Sequence, residues 1–288
     1  MNELKKLFAL ALILCLASGL VLNASAAVFV DAHGNEIELD DSLEAYTENT
    51  LYGAEDAARK GETNLGDLWT DALRWFAVSG RIDGSFEEDD VTRGNTSIDA
   101  DAEHVVALWN GGNLRADLAE GTFGAEQLAE VLPYPNKVAV VYMTGAQLLE
   151  ALEAASQGLP YTGDTADACA SFMQVSGLSY EVDTQAEYDR GEAYGDHWFK
   201  AASLGRVTVT DVNGAPFDEA AVYAVITSNA NFNGMDSSYI FPEAAEAYEN
   251  STVTTAVVRD VIWMYISEEL GNVIGGTYAE SQGRITVR

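Results

Sequence analysis

Val105-Val106-Ala107-Leu108-Trp109-Asn110-Gly111-Gly112 decides the fold: it is an apolar run of strand length ending in an asparagine and two glycines. A run this short and uninterrupted suits a buried strand. Glycine opens backbone conformations closed to other residues, so the chain is expected to turn there, and the turn can host a site. Downstream, Lys137 to Met143 is a second apolar strand, and Thr144-Gly145-Ala146-Gln147 follows it in capping-box form. That box opens a helix carrying Leu148, Leu149, Leu152 and Ala155. Upstream, Leu65, Leu68, Trp69, Ala72, Leu73 and Phe76 recur at three- and four-residue spacing, which makes an amphipathic helix capped by Thr63 or Asn64.

The same rules extend to both ends. Val28 to Asp31 reads as an edge strand that runs into a polar lead-in. Gly124 to Val131 is a short helix, and Pro133-Tyr134-Pro135-Asn136 is a rigid turn. Phe172 to Val182 alternates as one strand. Arg206 to Val212 and Val222 to Ser228 flank Asn213-Gly214, a strong turn signal. Thr252 to Leu270 is expected to be the last helix, stopped at Gly271, and Arg284 to Val287 a closing strand. Ser85 to Glu103 and Asp183 to Ser203 are acidic, loop-like excursions. With no repeat, heptad or Pro-rich linker, the expected fold is a single mixed α/β domain of the α+β type, with mixed sheet layers packed by helices.

A chain of 288 residues, 48% hydrophobic, can bury a full core. Its first residues are basic, Leu7 to Leu22 is almost unbroken apolar sequence, and Asn23 to Ala27 is small. This is the pattern of a secretory signal peptide over 1–26, followed by a lead-in over 27–50 and the domain over 51–288. The apolar run falls short of the ~20 residues that span a bilayer, so no stable membrane insertion is expected after cleavage, and the protein is expected to be secreted or extracytoplasmic. Cys15 lies in the signal, leaving Cys169 as a lone buried thiol with no disulfide partner. The formal net charge of −31 repels nucleic-acid phosphates and anionic lipid while keeping the protein soluble.

Several blocks, in order, carry a resemblance to a known family. They are Glu62-Thr63-Asn64-Leu65-Gly66-Asp67-Leu68, Asn110-Gly111-Gly112-Asn113-Leu114-Arg115, Leu132-Pro133-Tyr134-Pro135-Asn136, Thr144-Gly145-Ala146-Gln147-Leu148-Leu149, Gln174-Val175-Ser176-Gly177-Leu178, Arg206-Val207-Thr208-Val209 and Gly283-Arg284-Ile285-Thr286-Val287. In this order they resemble the C-terminal, substrate-binding domain of the 5'-nucleotidase and UDP-sugar hydrolase family, and the resemblance covers Leu51 to Arg288. It implies that family's fold and a ligand that is a nucleotide, a nucleoside or a related small molecule. The family's two catalytic metal ions belong to a separate N-terminal domain rich in Asp, Asn and His ligands. Only His33, His104 and His197 occur in this chain, and its length is expected to leave no space for that domain. The expectation is therefore no catalytic residue, no metal and no cofactor.

The resemblance also implies site residues. Arg115 and Arg59 match arginines that reach the substrate, and Asn110 matches an accompanying polar contact. Glu55 stands where some members carry a further arginine, which should weaken phosphate binding. Tyr134 stands at the first of two aromatic rings that sandwich the base. The second is expected near Asn229 to Asp236, where Ala230 replaces the ring, Phe232 is displaced by two positions, and Asp236 closes a rebuilt loop. Three readings follow: a non-catalytic binding protein, the substrate-binding half of an enzyme completed by a separate metallophosphatase chain, or a structural or adhesive surface protein.

Overall fold

In the computed structural model the described residues are 27–30, 36–39 and 44–288, so the segment read as a signal peptide lies outside them. Ala27–Val30 (β1) and Glu36–Leu39 (β2) pair antiparallel by themselves. Residues 45–288 fold as one unit around a five-stranded mixed sheet. The sheet-forming segments are Glu44–Thr47 (β3), Val105–Asn110 (β4), Gly121–Gly124 (β5), Lys137–Thr144 (β6), Met173–Ser176 (β7), Leu178–Val182 (β8), Arg190–Tyr194 (β9), Trp198–Ala201 (β10), Val207–Val212 (β11), Val222–Ser228 (β12), Thr252–Val257 (β13), Val273–Ile274 (β14) and Ile285–Val287 (β15). The main helices are Asn64–Val78 (α1), Ala125–Val131 (α2), Gly145–Ala155 (α3), Ile240–Ala247 (α4) and Val258–Glu268 (α5).

The central order is β13-β6-β12-β4-β7. β12 runs parallel to β4 and antiparallel to β6, and β7 runs antiparallel to β4. Every residue of β4 is buried, as an uninterrupted apolar run requires when both faces of a sheet are covered. Side chains alternate between two cores. Val105, Ala107 and Trp109 join Val138, Val140, Ala224 and Ile226 against α1 and α5. Val106 and Leu108 join Val141, Met143, Tyr223 and Val225 against α3 and α4. The helices that cover the two faces carry the expected caps: Thr63 Oγ1 accepts from Gly66 N at 3.0 Å, and Thr144 exchanges bonds with Gln147.

Two local expectations, the single strand over Phe172 to Val182 and the helix over Thr252 to Leu270, are corrected. Phe172 to Val182 is not one strand, because Gly177 takes φ 80° and sends β7 into the central sheet and β8 into a second sheet of order β11-β8-β15. Asn213 and Gly214, at φ 51° and 83°, do form a tight reversal, closed by the Val212–Ala215 bridge. Its flanking strands nevertheless part company, since β11 pairs with β8 while β12 enters the central sheet. Thr252–Val257 is an edge strand on β6 rather than the first turns of a helix. Its β-branched run fits a pleated surface better than a helix interior, and the helix starts only at Val258. The acidic excursion between Asp183 and Ser203 also contains the β9–β10 hairpin.

The C-terminal tail is fastened to α1 by buried charge. Arg284 Nη2 meets Asp71 Oδ2 at 2.8 Å, and Tyr278 Oη donates to the same oxygen at 3.0 Å. Gln282 N donates to Asp67 Oδ2, and Ile285 N to Glu62 Oε2, each at 2.9 Å. Burial pushes the Asp67 carboxyl up to about 8; Arg284 pulls it down, and the neighbouring Glu62 carboxyl adds to the rise. The folded chain thus holds a proton that the unfolded chain releases near 3.8. Between those two values the native state binds more protons than the unfolded state, so stability falls as pH rises across this window and levels off above it. Asp67→Asn mimics the protonated acid. Its melting temperature is expected to gain on wild type steadily from pH 5 to pH 8 in a thermal denaturation series, and parallel curves would contradict the proton held on Asp67.

Candidate ligand cavity at the edge of the central sheet

The carboxyl ends of the parallel neighbours β4 and β12 lie at one edge of the sheet. The register Asn110↔Met173 and Ser228↔Val138 puts the starts of antiparallel β7 and β6 at the same edge. Loops at the carboxyl ends of parallel strands are where open α/β sheets commonly hold ligands. Here the segments 111–115, 133–136, 168–171 and 229–236 surround a cavity of about 510 Å³. Arg115, Tyr134, Met235 and Asp236 are among the lining residues.

Two glycines make this edge possible. A Cβ on Gly111 would stand 2.0 Å from the Ala58 carbonyl oxygen, and one on Gly112 would stand 2.6 Å from the Ala170 oxygen. Both obstacles are backbone atoms, so no side chain fits. Gly111 N donates to Phe172 O at 2.7 Å, locking the turn to the chain that enters β7. The Ala58–Thr63 segment is held from the other side by Gln174, which is fully buried. Its Nε2 donates to Ala58 O and Gly61 O, and its Oε1 accepts from Thr63 N. Arg59 is carried by this segment, buried, with Nη1 donating to Ala166 O at 2.9 Å.

Arg115 N donates to Val131 O, which fixes the backbone after the glycine turn beside α2. Its guanidinium stands 5.8 Å from the centre of the Tyr134 ring, within cation–π range. Tyr134 is 47% exposed and Met235 56% exposed, so both offer apolar surface to the cavity mouth. Asn110 Nδ2 donates to Asp236 Oδ2 at 3.2 Å, and Asn113 Nδ2 donates to Asn110 Oδ1 at 2.8 Å. Burial pushes the Asp236 carboxyl up, while Arg59, Arg115 and the Asn110 bond pull it down. The chain has 15 Lys and Arg against 46 Asp and Glu, so two arginines facing one carboxyl concentrate positive charge where it is scarce.

Of the residues expected at the site, Arg115, Tyr134 and Asp236 line the cavity. Asn110 and Arg59 act on it from behind, one by hydrogen bond and one by charge. Phe232 is placed elsewhere: its half-buried ring packs against the second core rather than forming a wall. Met235 takes the exposed position on that loop, and Gln174 braces Arg59's segment. Neither was expected, although Gln174 lies in one of the blocks of the family resemblance. His104 and His197 sit at the surface beside Asp101 and Asp167, away from the cavity.

A mixed α+β domain with an open cavity at the carboxyl edge of its central sheet is the class these features define. The chain belongs to the family of the 5'-nucleotidase, C-terminal domain, which matches residues 44–244. It is 29% identical over 191 residues to a cell wall protein of Listeria monocytogenes, covering 64% of this chain and 19% of the relative. It is 24% identical over 269 residues to a trifunctional nucleotide phosphoesterase of Bacillus subtilis, covering 91% of this chain and 15% of the relative. The structure of a 5'-nucleotidase precursor from Thermus thermophilus superposes with a TM-score of 0.60 at 26% identity, over 84% of this chain and 39% of that one. An NAD nucleotidase from Haemophilus influenzae shares the fold, with a TM-score of 0.57 at 14% identity, over 91% of this chain and 48% of that one. The chain therefore spans less than half the length of each of these relatives.

Gly111→Ala is expected to cost about 1–3 kcal/mol, the usual penalty for overpacking, because the Ala58 backbone must move. Gly61→Ala, with nothing within 4 Å of the added Cβ, should stay within about 0.5 kcal/mol of wild type. Chemical denaturation of both variants checks the contrast.

Proposed function

We propose that this domain binds a nucleotide, a nucleoside or a related small molecule in the cavity between Arg115, Tyr134 and Asp236. The observation that carries the proposal is the convergence of those three residues on one open cavity of ligand size. Arg115 supplies a planar cation suited to a phosphate, and Tyr134 supplies an aromatic face for a base. Asp236, set opposite the two arginines, suits a hydroxyl or amino group. Its burial also disfavours a full negative charge that would repel an anion.

The proposal assigns no catalytic residue, metal or cofactor to this chain. The metal chemistry of hydrolysis would fall to a separate metallophosphatase chain, with this domain gripping the substrate. The phosphoesterase of Bacillus subtilis, of which the matched region is a minor part, supports a domain of this kind working beside others. Export to an extracytoplasmic space belongs to the same proposal, supported by the basic and apolar start of the sequence and by the cell wall relative. The surface charge argues against a nucleic-acid partner.

The test is a thermal-shift and calorimetric screen with AMP, adenosine and UDP-glucose. A ligand at a hundred times its dissociation constant adds about 2.7 kcal/mol of stability. Arg115→Ala should weaken AMP about 10- to 100-fold and adenosine far less, because a charge-assisted contact is lost. Tyr134→Ala should weaken both, since it removes the ring that each would share. Cooperative melting with no response to any of the three would remove the proposal.

A further inference from the structure

The loop carrying Met235 and Asp236 leaves β12 through a single helical turn, Asn229–Phe232, and then reverses sharply. Gly234 takes φ 76° and Asp236 takes φ 56°. A reversal with two left-handed residues, one of them not glycine, needs contacts from outside to hold it. Asn110 grips one end through Asp236 Oδ2. The other end is held from the hairpin: Tyr194 Oη donates to the Gly234 carbonyl at 2.6 Å. A Cβ on Gly234 would stand 2.4 Å from that hydroxyl, so the contact exists only because residue 234 is glycine.

Tyr194 ends β9, and the β9–β10 hairpin is seated firmly on the helices of the second core. The Tyr194 ring centre lies 5.6 Å from that of the buried Tyr239. Ala201 N donates to Tyr239 Oη at 3.0 Å, and that hydroxyl donates to Glu150 on α3 at 2.8 Å. Phe199 N reaches Gln157 Oε1 just beyond α3, and Lys200 pairs with Glu243 on α4 at 2.6 Å. The hairpin is thus a fixed arm, and its one hydroxyl on Gly234 transmits that fixity to the cavity loop.

We propose that Tyr194 is a positioning residue for the ligand cavity, holding Gly234 so that Met235 and Asp236 face Arg115 and Tyr134 across it. The inference rests on the cavity being the ligand site and extends it. The β9–β10 hairpin thereby shapes the site although no residue of the hairpin lines the cavity. Without the hydroxyl, the reversal keeps the Asn110–Asp236 bond and its own bonds from Gly234 N to Asn231 O and from Met235 N to Ala230 O but loses its tie to the hairpin, and the wall formed by Met235 loosens.

The test compares Tyr194→Phe with Tyr188→Phe in the full chain. Tyr188 Oη donates to Phe199 O at 2.8 Å, so the control removes a hydroxyl bonded to the same hairpin without touching the loop. Amide exchange of residues 233–238 and the ¹³C-methyl signal of Met235 are read without ligand. Tyr194→Phe should speed exchange there about fivefold to tenfold, as loss of one hydrogen bond predicts, and should shift the Met235 signal while melting stays cooperative. Tyr188→Phe should change neither. Affinity for AMP, measured by calorimetry, should fall about threefold to tenfold in Tyr194→Phe alone. Unchanged loop exchange in Tyr194→Phe, or an equal change in Tyr188→Phe, overturns the proposal. If wild type gives no heat with AMP, the nucleotide-type ligand fails by itself, and the exchange data still decide whether Tyr194 holds the loop.

Discussion

Two backbone carbonyls, those of Ala58 and Ala170, press so closely on Gly111 and Gly112 that no Cβ could stand between them. Everything at the sheet edge follows from this approach. It lets the segment before α1 lie against the end of β4, which brings Arg59 within electrostatic range of Asp236. It also lets the entry to β7 lie beside the turn, so that Ala170 closes one side of the cavity. Gln174 then ties the Ala58 segment down with hydrogen bonds that water cannot reach. Because protein interiors pack densely and yield little, a contact of this kind positions its neighbours to fractions of an ångström.

Charge is used in the same economical way. Most of the acidic excess faces solvent, where it serves solubility and is screened by salt. The few cations occupy particular places. Arg284 pairs with Asp71 beneath the C-terminal tail, and Arg206 donates to the carbonyls of Ser156 and Leu159. Arg115 lines the cavity, and Arg59 lies within electrostatic range of Asp236. An arginine buried against carbonyls and carboxylates is costly to desolvate unless its planar donors are matched, and Arg206 and Arg284 each meet several acceptors.

The cavity is assembled from four loops that are distant in sequence but emerge from adjacent strand ends. Its floor is the edge of the sheet, and one of its walls is the loop after β12. In that wall a phenylalanine that could have served as a ring points into the core, while a methionine takes the exposed position. A flexible, polarisable thioether accommodates more ligand shapes than a fixed ring.

Sequence by itself determined the elements whose cause is local. The apolar run of β4, the capping box of α3, the amphipathic period of α1 and the glycine turn after Asn110 all follow from rules that span a few residues. The ordered blocks also revealed the family, and with it Arg115, Tyr134 and Asp236 as cavity residues. Tertiary structure alone decided which strand pairs with which. The Asn213-Gly214 reversal is visible in sequence, but the parting of β11 and β12 is not, because partners are chosen by burial across the whole sheet. The strand at Thr252–Val257 likewise depends on the free edge of β6, and Phe232's inward turn on space in the second core. Tyr194 lies 40 residues from Gly234, and only packing on Tyr239 brings its hydroxyl there. Local sequence specifies what a segment can become; long-range burial selects among those options, since only the assembled core lowers the free energy enough to choose.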